Sequence, residues 1–167
     1  LLMWEYRGGK DDDQWLYLPA MQKVKRIEAR EKSSEFMGTD FTYEDMGGRN
    51  IDEDSYKLLG EEELFGENCY RVEAIPIKNG SSYSHREVWV SKDSWMARKV
   101  HYFNKKGKLV KILSIPELHK DGDYWTVDKM VMESVKKSHK TILEMKDVQY
   151  NSGIEEWRFT ERGFRRK

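Results

Sequence analysis

The sequence predicts a mainly antiparallel β protein of the α+β kind, a meander interrupted once by short helical segments. Three observations carry that prediction. Apolar and polar residues alternate with a period of two along most of the 167 residues, which is the geometry of strands and not the 3.6-residue period of helices. Turn signals recur at short intervals, at Phe65-Gly66-Glu67-Asn68, Asn79-Gly80-Ser81-Ser82, Asn104-Lys105-Lys106-Gly107 and Asp121-Gly122-Asp123. One stretch alone, residues 28–54, abandons the alternation and carries helix-capping residues instead.

Taken in order, residues 2–7 read as a first strand, closed by the turn Gly8-Gly9-Lys10-Asp11. Residues 14–18 form an aromatic-rich strand that ends at Pro19, which has no N–H to give a ladder. A third strand covers 21–27. In the insertion that follows, Ser33 or Ser34 and then Asp40 are the expected N-caps, with Glu44 and Asp45 in a first turn where a helix favours negative charge. Phe36, Met37, Phe41 and Met46 give this piece an apolar side, and Gly47-Gly48 stops it. The meander then resumes with strands at 55–64, 68–78, 84–91, 97–103, 109–118, 123–136 and 141–150.

These strands sort into faces. Tyr70, Val72 and Ala74 oppose Arg71 and Glu73, as expected of a half-solvated sheet. After Asp123 the pattern differs. Tyr124, Thr126, Asp128, Met130 and Met132 alternate with Trp125, Val127, Lys129 and Val131, so apolar groups lie on both sides. Such a strand is covered on one side and lines something on the other. A short amphipathic insertion must lay its apolar side on a sheet face, and residues such as Val72, Val88, Met130 and Met132 offer that face.

Composition narrows the function. A chain of this length is one domain by size and buries a real core. Charged residues make up 36% and aromatic residues 13%, which indicates thin ordered elements with one wet face and not disorder. Lys plus Arg and Asp plus Glu number 30 each, so no long-range field draws in nucleic acid. The lone Cys69 excludes an internal disulfide and a Cys-based zinc site, and reads as a small buried hydrophobe. No apolar run approaches the roughly 20 residues that span a bilayer. The opening Leu1-Leu2-Met3-Trp4-Glu5-Tyr6 reads as mid-strand, with neither an initiator Met nor a charged leader, so preceding residues are expected to be missing.

Catalytic signatures are absent from the sequence. His85, His101, His119 and His139 fall on strands or strand ends, outside any His-Glu-x-x-His pattern. His85-Arg86-Glu87 matches the His-x-Glu of zinc deaminases, but the Pro-Cys-x-x-Cys that must accompany it is missing. No Gly-x-Ser-x-Gly elbow or phosphate-cradling glycine loop occurs. Asp11-Asp12-Asp13 and Asp52-Glu53-Asp54 lack the alternate spacing, central Gly and distal Glu of a calcium loop, and read as solvated turns. No catalytic residue, metal or cofactor is therefore expected. The basic end, with Arg162, Arg165, Arg166 and Lys167, fits anionic headgroups or a solubilising tail equally. Met21, Met37, Met46, Met130, Met132 and Met145, with Phe36, Phe41, Trp4 and Trp89, exceed what sealing one small sheet requires. They serve either as core filler or as an adaptable apolar binding surface.

Trp15-Leu16-Tyr17-Leu18-Pro19, then Arg26-Ile27, then Phe36-Met37-Gly38-Thr39-Asp40-Phe41-Thr42-Tyr43-Glu44-Asp45-Met46 resemble the outer-membrane lipoprotein-sorting family, proteins with the fold of LolA and LolB. The resemblance is strongest over 15–46. It continues through Cys69-Tyr70, Trp89-Val90, Gly107-Lys108, Thr141-Ile142 and Tyr150-Asn151 to Phe159-Thr160. It implies an incomplete, strongly curved antiparallel β-barrel whose inner side is plugged by short helical segments. One LolA-like half-barrel domain would cover 1–167, without the N-terminal helix and first strands that family members carry. The implied function is non-catalytic: a periplasmic carrier for a lipid or lipoprotein acyl chain, with an envelope transporter or membrane protein as a further partner and no nucleic acid. Phe36, Met37, Phe41, Met46, Val72, Val88, Met130 and Met132 are the implied ligand-binding residues. Two alternatives share the fold: a sensor or adaptor half-barrel like the periplasmic regulator RseB, and an accessory subunit of an envelope transporter.

Overall fold

The computed structural model describes residues 1–6 and 12–165. Arg7, the turn expected at Gly8-Gly9-Lys10-Asp11, the side chain of Arg165 and the end Arg166-Lys167 lie outside the described residues. Among the described residues, ten strands form two antiparallel sheets. β1 (Leu2–Trp4), β2 (Asp13–Leu18) and β3 (Lys23–Arg26) make a small sheet in that order. β4 (Asp54–Leu64), β5 (Glu67–Pro76), β6 (Tyr83–Ser91), β7 (Ala97–Asn104), β8 (Leu109–Asp121), β9 (Tyr124–Ser134) and β10 (His139–Glu144) make the large one. Each strand of the large sheet lies beside its neighbour in sequence, and β4 and β10 remain as edges. The sheet is an incomplete, curved antiparallel barrel.

The alternation and the turn residues place these strands. Phe65 and Gly66, both at positive φ (54° and 78°), form the two-residue loop that joins β4 to β5, where the strand twist favours such a turn. Asn104 Oδ1 accepts the N–H groups of Lys106 and Lys108 and closes the β7–β8 turn.

Four expectations are corrected. The single meander is split, because β3 pairs only with β2 before the insertion carries the chain away. The strand expected from 21 begins at Lys23, since Pro19–Met21 form a 3₁₀ turn closed by Gln22 at φ 49°. The strand expected over 141–150 spans His139–Glu144. Beyond it Asp147 turns at φ 54°, and Tyr150 leaves the ladder to stack on Tyr124 of β9, ring centroids 4.4 Å apart. The insertion's N-cap is neither Ser33, Ser34 nor Asp40, but Thr42. The Asp45 N–H donates to Thr42 Oγ1 and the Thr42 N–H to Asp45 Oδ2, a capping box on α1 (Tyr43–Met46).

The rest of the insertion is irregular, with 3₁₀ turns at Ala29–Glu31 and Ile51–Glu53. The C-terminal stretch returns to the small sheet. The Trp4 indole N–H donates to the Phe159 carbonyl (2.7 Å), and Phe164 of α2 (Glu161–Arg165) packs edge-on against Tyr17. A side chain at Gly163 would collide with the Trp157 carbonyl oxygen, so glycine is required where α2 folds back.

Candidate functional site

The register of the large sheet aligns one transverse row across all seven strands. Leu58, Val72, Val88, Val100, Leu113, Met132 and Thr141 stand directly opposite one another from β4 to β10. Residues in register share a face, and so do those two places along each strand. A second row of that face therefore reads Tyr56, Ala74, Arg86, Tyr102, Lys111, Ser134 and His139. The first row is apolar but for Thr141, and the second mixes Ala74 and two tyrosines with charged and polar groups. This pairing defines the inner face.

The insertion lies on the β6–β10 part of that face as a lid. Phe41 joins Tyr83, Val100, Tyr102 and Met132 in a buried cluster, with Phe36, Met46, Val88, Leu113, Met130 and Leu143 packed against it. Phe41 is 3% exposed and Met132 0%. Phe36 stacks edge-on with Tyr43 at 5.6 Å, and the Tyr83 and Tyr102 rings lie 4.9 Å apart.

Polar groups tie the same lid down. Asp45, fully buried, accepts the Tyr83 hydroxyl (2.7 Å) and the Lys111 ammonium (2.6 Å). Burial pushes the hydroxyls of Tyr83 and Tyr102 far up, and the Asp45 charge adds to it, so both stay protonated donors. Glu44 accepts the hydroxyls of Ser81 and Ser82 and the Ser82 N–H on the β5–β6 loop. Asp40 takes the Thr141 hydroxyl (2.8 Å) and lies 2.7 Å from His139 Nδ1, while its own N–H donates to Thr141 Oγ1. Burial raises the Asp40 carboxyl, but the bonds from Thr141 and His139 outweigh it and leave the group below its ordinary value. At the lid's far end Arg49 and Arg86 share the buried carboxylate of Asp54, four contacts between 2.6 and 2.9 Å. The helix α1 has only four residues and would not hold in water by itself. Apolar seating and carboxylate ties together retain it.

Of the eight residues singled out by sequence, six meet here: Phe36, Phe41, Met46, Val88, Met130 and Met132. Met37 does not. Its backbone turns at φ 53° and its side chain is 62% exposed. Val72 stands on the apolar row, half-buried, beyond the lid's reach. Tyr83, Tyr102 and Val100 were missed; Val100 and Tyr102 share a face by their even spacing along β7, whereas Tyr83 is five residues from Val88 and reaches that face only through the register shift between Tyr83 and His85. Asp45, Lys111 and Arg86 carry no comparable signal. Toward β4 the face is open: Tyr56 and Leu58 are exposed, and Tyr70 approaches the exposed Trp95.

The remaining candidates have structural explanations. On the outer face Trp89 is buried between the guanidinium of Arg71 and the ammonium of Lys99, and its N–H donates to Glu62 (2.8 Å). His101 packs on Trp89, and burial lowers its pKa. Cys69 is fully buried and its thiol is pushed up by desolvation, which makes it unreactive. Among the described residues no cluster of His, Cys, Asp and Glu could hold a metal ion, and no helix is long and apolar enough to cross a membrane. A separate cleft of about 690 Å³, with polar and apolar surface in equal share, lies between the small sheet and the lid, lined by Gln14, Lys32, Glu44, Arg49, Asn50 and Ile51 among others.

Comparison with known proteins bears on this geometry. A family model described as an uncharacterized protein matches residues 1–166. The chain is similar to an outer membrane lipoprotein-sorting protein domain from Vibrio parahaemolyticus, with 35% identity, a TM-score of 0.89, and coverage of 94% of this chain and 67% of that one. It is equally similar to a DUF1329 family protein from Desulfovibrio piger, with 35% identity, a TM-score of 0.90, and coverage of 96% and 68%. A LolA superfamily protein from Nitrosomonas europaea shares the fold, with a TM-score of 0.68 at 18% identity over 90% of this chain and 67% of that one. The sequence matches no curated protein.

Proposed function

We propose that this chain, which belongs to the outer-membrane lipoprotein-sorting family with the LolA-like fold, binds and carries a lipid or lipoprotein acyl chain in the bacterial envelope without making or breaking a bond. The observation that supports this reading is the lid. An apolar face is covered by a short segment that lacks stability of its own and is seated by a few side chains and ionic ties. Segments held in that way open at low cost. An acyl chain that displaced Phe36 and Met46 would find Val88, Met130 and Leu143 beneath them. Withdrawing a 16-carbon chain from water contributes ~12 kcal/mol gross, at ~0.8 kcal/mol per methylene, and ordering takes back a good part. Such a ligand needs little polar recognition. The periplasm is the proposed compartment, and an envelope transporter or membrane protein the proposed further partner.

Displacement of a fluorescent fatty-acid probe, together with native mass spectrometry of the purified protein, tests the reading. Met130→Ser, beneath the lid, should weaken probe binding at least tenfold, while Met37→Ser, on the lid's solvent side, should leave it unchanged. Equal effects at both positions, or no probe binding by the unaltered protein, would overturn carriage under the lid. A second reading, an adaptor that receives a protein partner, is favoured by the open end of the inner face at Tyr56 and Leu58. Capture of a partner that Leu58→Asp abolishes, with the probe unbound, would replace the first reading by the second.

A further inference from the structure

We propose that the cleft beside the lid receives a neutral, hydroxyl-rich headgroup of the glycosyl kind, joined to the acyl chain that lies under the lid. The proposal rests on the carrier reading and adds the class of lipid.

The first observation is position. α1 is a wall shared by two compartments: Met46 packs into the apolar cluster, whereas Glu44 and Gly47 line the cleft. A ligand with a tail on one side of α1 and a head on the other meets each half in its own medium.

The second is an unmet buried acceptor. Gln14 is 2% exposed and lines the cleft. Its Nε2 donates to the Tyr43 carbonyl (3.0 Å), which fixes the amide's orientation, but its Oε1 has no donor among the described residues. A buried acceptor without a partner is destabilising, and a ligand hydroxyl in the cleft would supply a donor. Gly47 lies against the same amide, where a Cβ would come to 3.2 Å from Nε2.

The third is charge. The cleft's ionic groups carry both signs, Lys32, Arg49 and Lys78 beside Asp12, Glu44, Asp52 and Glu53. Several are already engaged: Arg49 with Asp54 and Glu53, Lys32 with the Asp12 carbonyl, Glu44 with Ser81 and Ser82, and Lys78 with a partner of its own. A phosphate or an ammonium would therefore meet charges of its own sign beside those of the other. A ligand rich in hydroxyls donates to an amide oxygen and accepts from amide N–H groups without demanding a counter-ion. The volume, about 690 Å³, is within the range of small-molecule sites.

Three ligands with one dodecyl tail separate head from tail: n-dodecyl-β-maltoside, dodecylphosphocholine and dodecanoate, each held below its micellar concentration and titrated by calorimetry. Free maltose is the fourth. The unaltered protein should bind the maltoside at least tenfold more tightly than the phosphocholine. Gln14→Leu and the length-preserving Gln14→Met should erase that preference while dodecanoate binding stays unchanged, and circular dichroism would confirm that both variants fold. The preference of the unaltered protein needs no variant and decides the matter if neither folds. Dodecanoate binding with no preference for the maltoside overturns the headgroup proposal and leaves the carrier reading standing. Failure of all three dodecyl compounds to bind overturns both. Maltose binding as tightly as the maltoside also overturns the proposal, because the cleft would then be a site for free sugar.

Discussion

Leu58 and Met132 stand on the same transverse row of the same sheet, yet Leu58 is 59% exposed and Met132 is completely buried. Their strands obey one alternation and their side chains share one face. What differs is cover. The insertion reaches β6 to β10, where Phe41 fills the row and Asp40, Asp45 and Glu44 find partners on β10, on β6 and β8, and on the β5–β6 loop. On β4 the insertion is tied only to the first residue, Asp54, through Arg49, and Tyr56 and Leu58 stay uncovered. A sheet's pattern therefore specifies a sticky face, but the segment laid over it decides which part becomes core.

The largest effect should come from cutting the apolar seat. Phe41→Ala should cost about 3–5 kcal/mol, seen as a lower urea midpoint, whereas Leu58→Ala should stay within about 0.5 kcal/mol. Similar losses at both sites would break the comparison.

Removing a tie comes next. Asp45→Asn leaves Lys111 and Tyr83 without their carboxylate and should cost roughly 1.5–3 kcal/mol. Hydrogen exchange should speed up in residues 36–46 well before it does in β7 and β8. Uniform acceleration would mean that the lid and the sheet open as one unit.

Acid provides a subtler probe. The Asp40 carboxyl is depressed in the folded protein, so its contribution is fully present above its unfolded value near 3.8. That contribution fades as pH falls through the lower folded value. Thermal melts between about pH 5 and pH 2 should show the Asp40→Asn protein with a flatter acid limb than the unaltered one. An identical acid limb would show that Asp40 adds nothing to holding the lid.

Smallest of all, Lys137→Ala removes the exposed pair with Glu35 at the lid's margin and should change stability by less than about 0.5 kcal/mol.

The strands of the large sheet were legible because each turn residue sits where the alternation pauses, and because Val88, Met130 and Met132 show their face by spacing alone. Phe36, Phe41 and Met46 were legible as the apolar side of the insertion. Met37 was not separable from them, since its exposure follows from a left-handed turn at the Met37-Gly38 step. The carboxylate ties were illegible for a different reason. Asp45 is 38 residues from Tyr83 and 66 from Lys111, and in a chain rich in charge nothing local marks which acid is buried. Glu44 and Asp45 read as partners of a helix dipole; one completes the capping box, and both reach across to the sheet. Thr42 displaced Asp40 as the cap because Asp40 is held by Thr141 and His139. The division into two sheets also leaves no trace in periodicity, which reports a strand's faces but never its neighbour.

β4 has a consequence for the protein's behaviour in concentrated solution. It is an eleven-residue edge whose outward N–H and C=O groups form a template for any extended chain. Two features spoil that template over its second half. Gly60, at φ 155°, breaks the register beside Leu58, and Glu61-Glu62-Glu63 put three carboxylates on the strand, of which Glu61 and Glu62 are paired with Lys92 and Arg71. Two molecules meeting edge to edge would bring those charges together and could not zip past the glycine. The first half, from Ser55 to Leu59, carries a single charge, Lys57. Fibril growth, if the protein is driven to it, should start from that less guarded length and stall at Gly60.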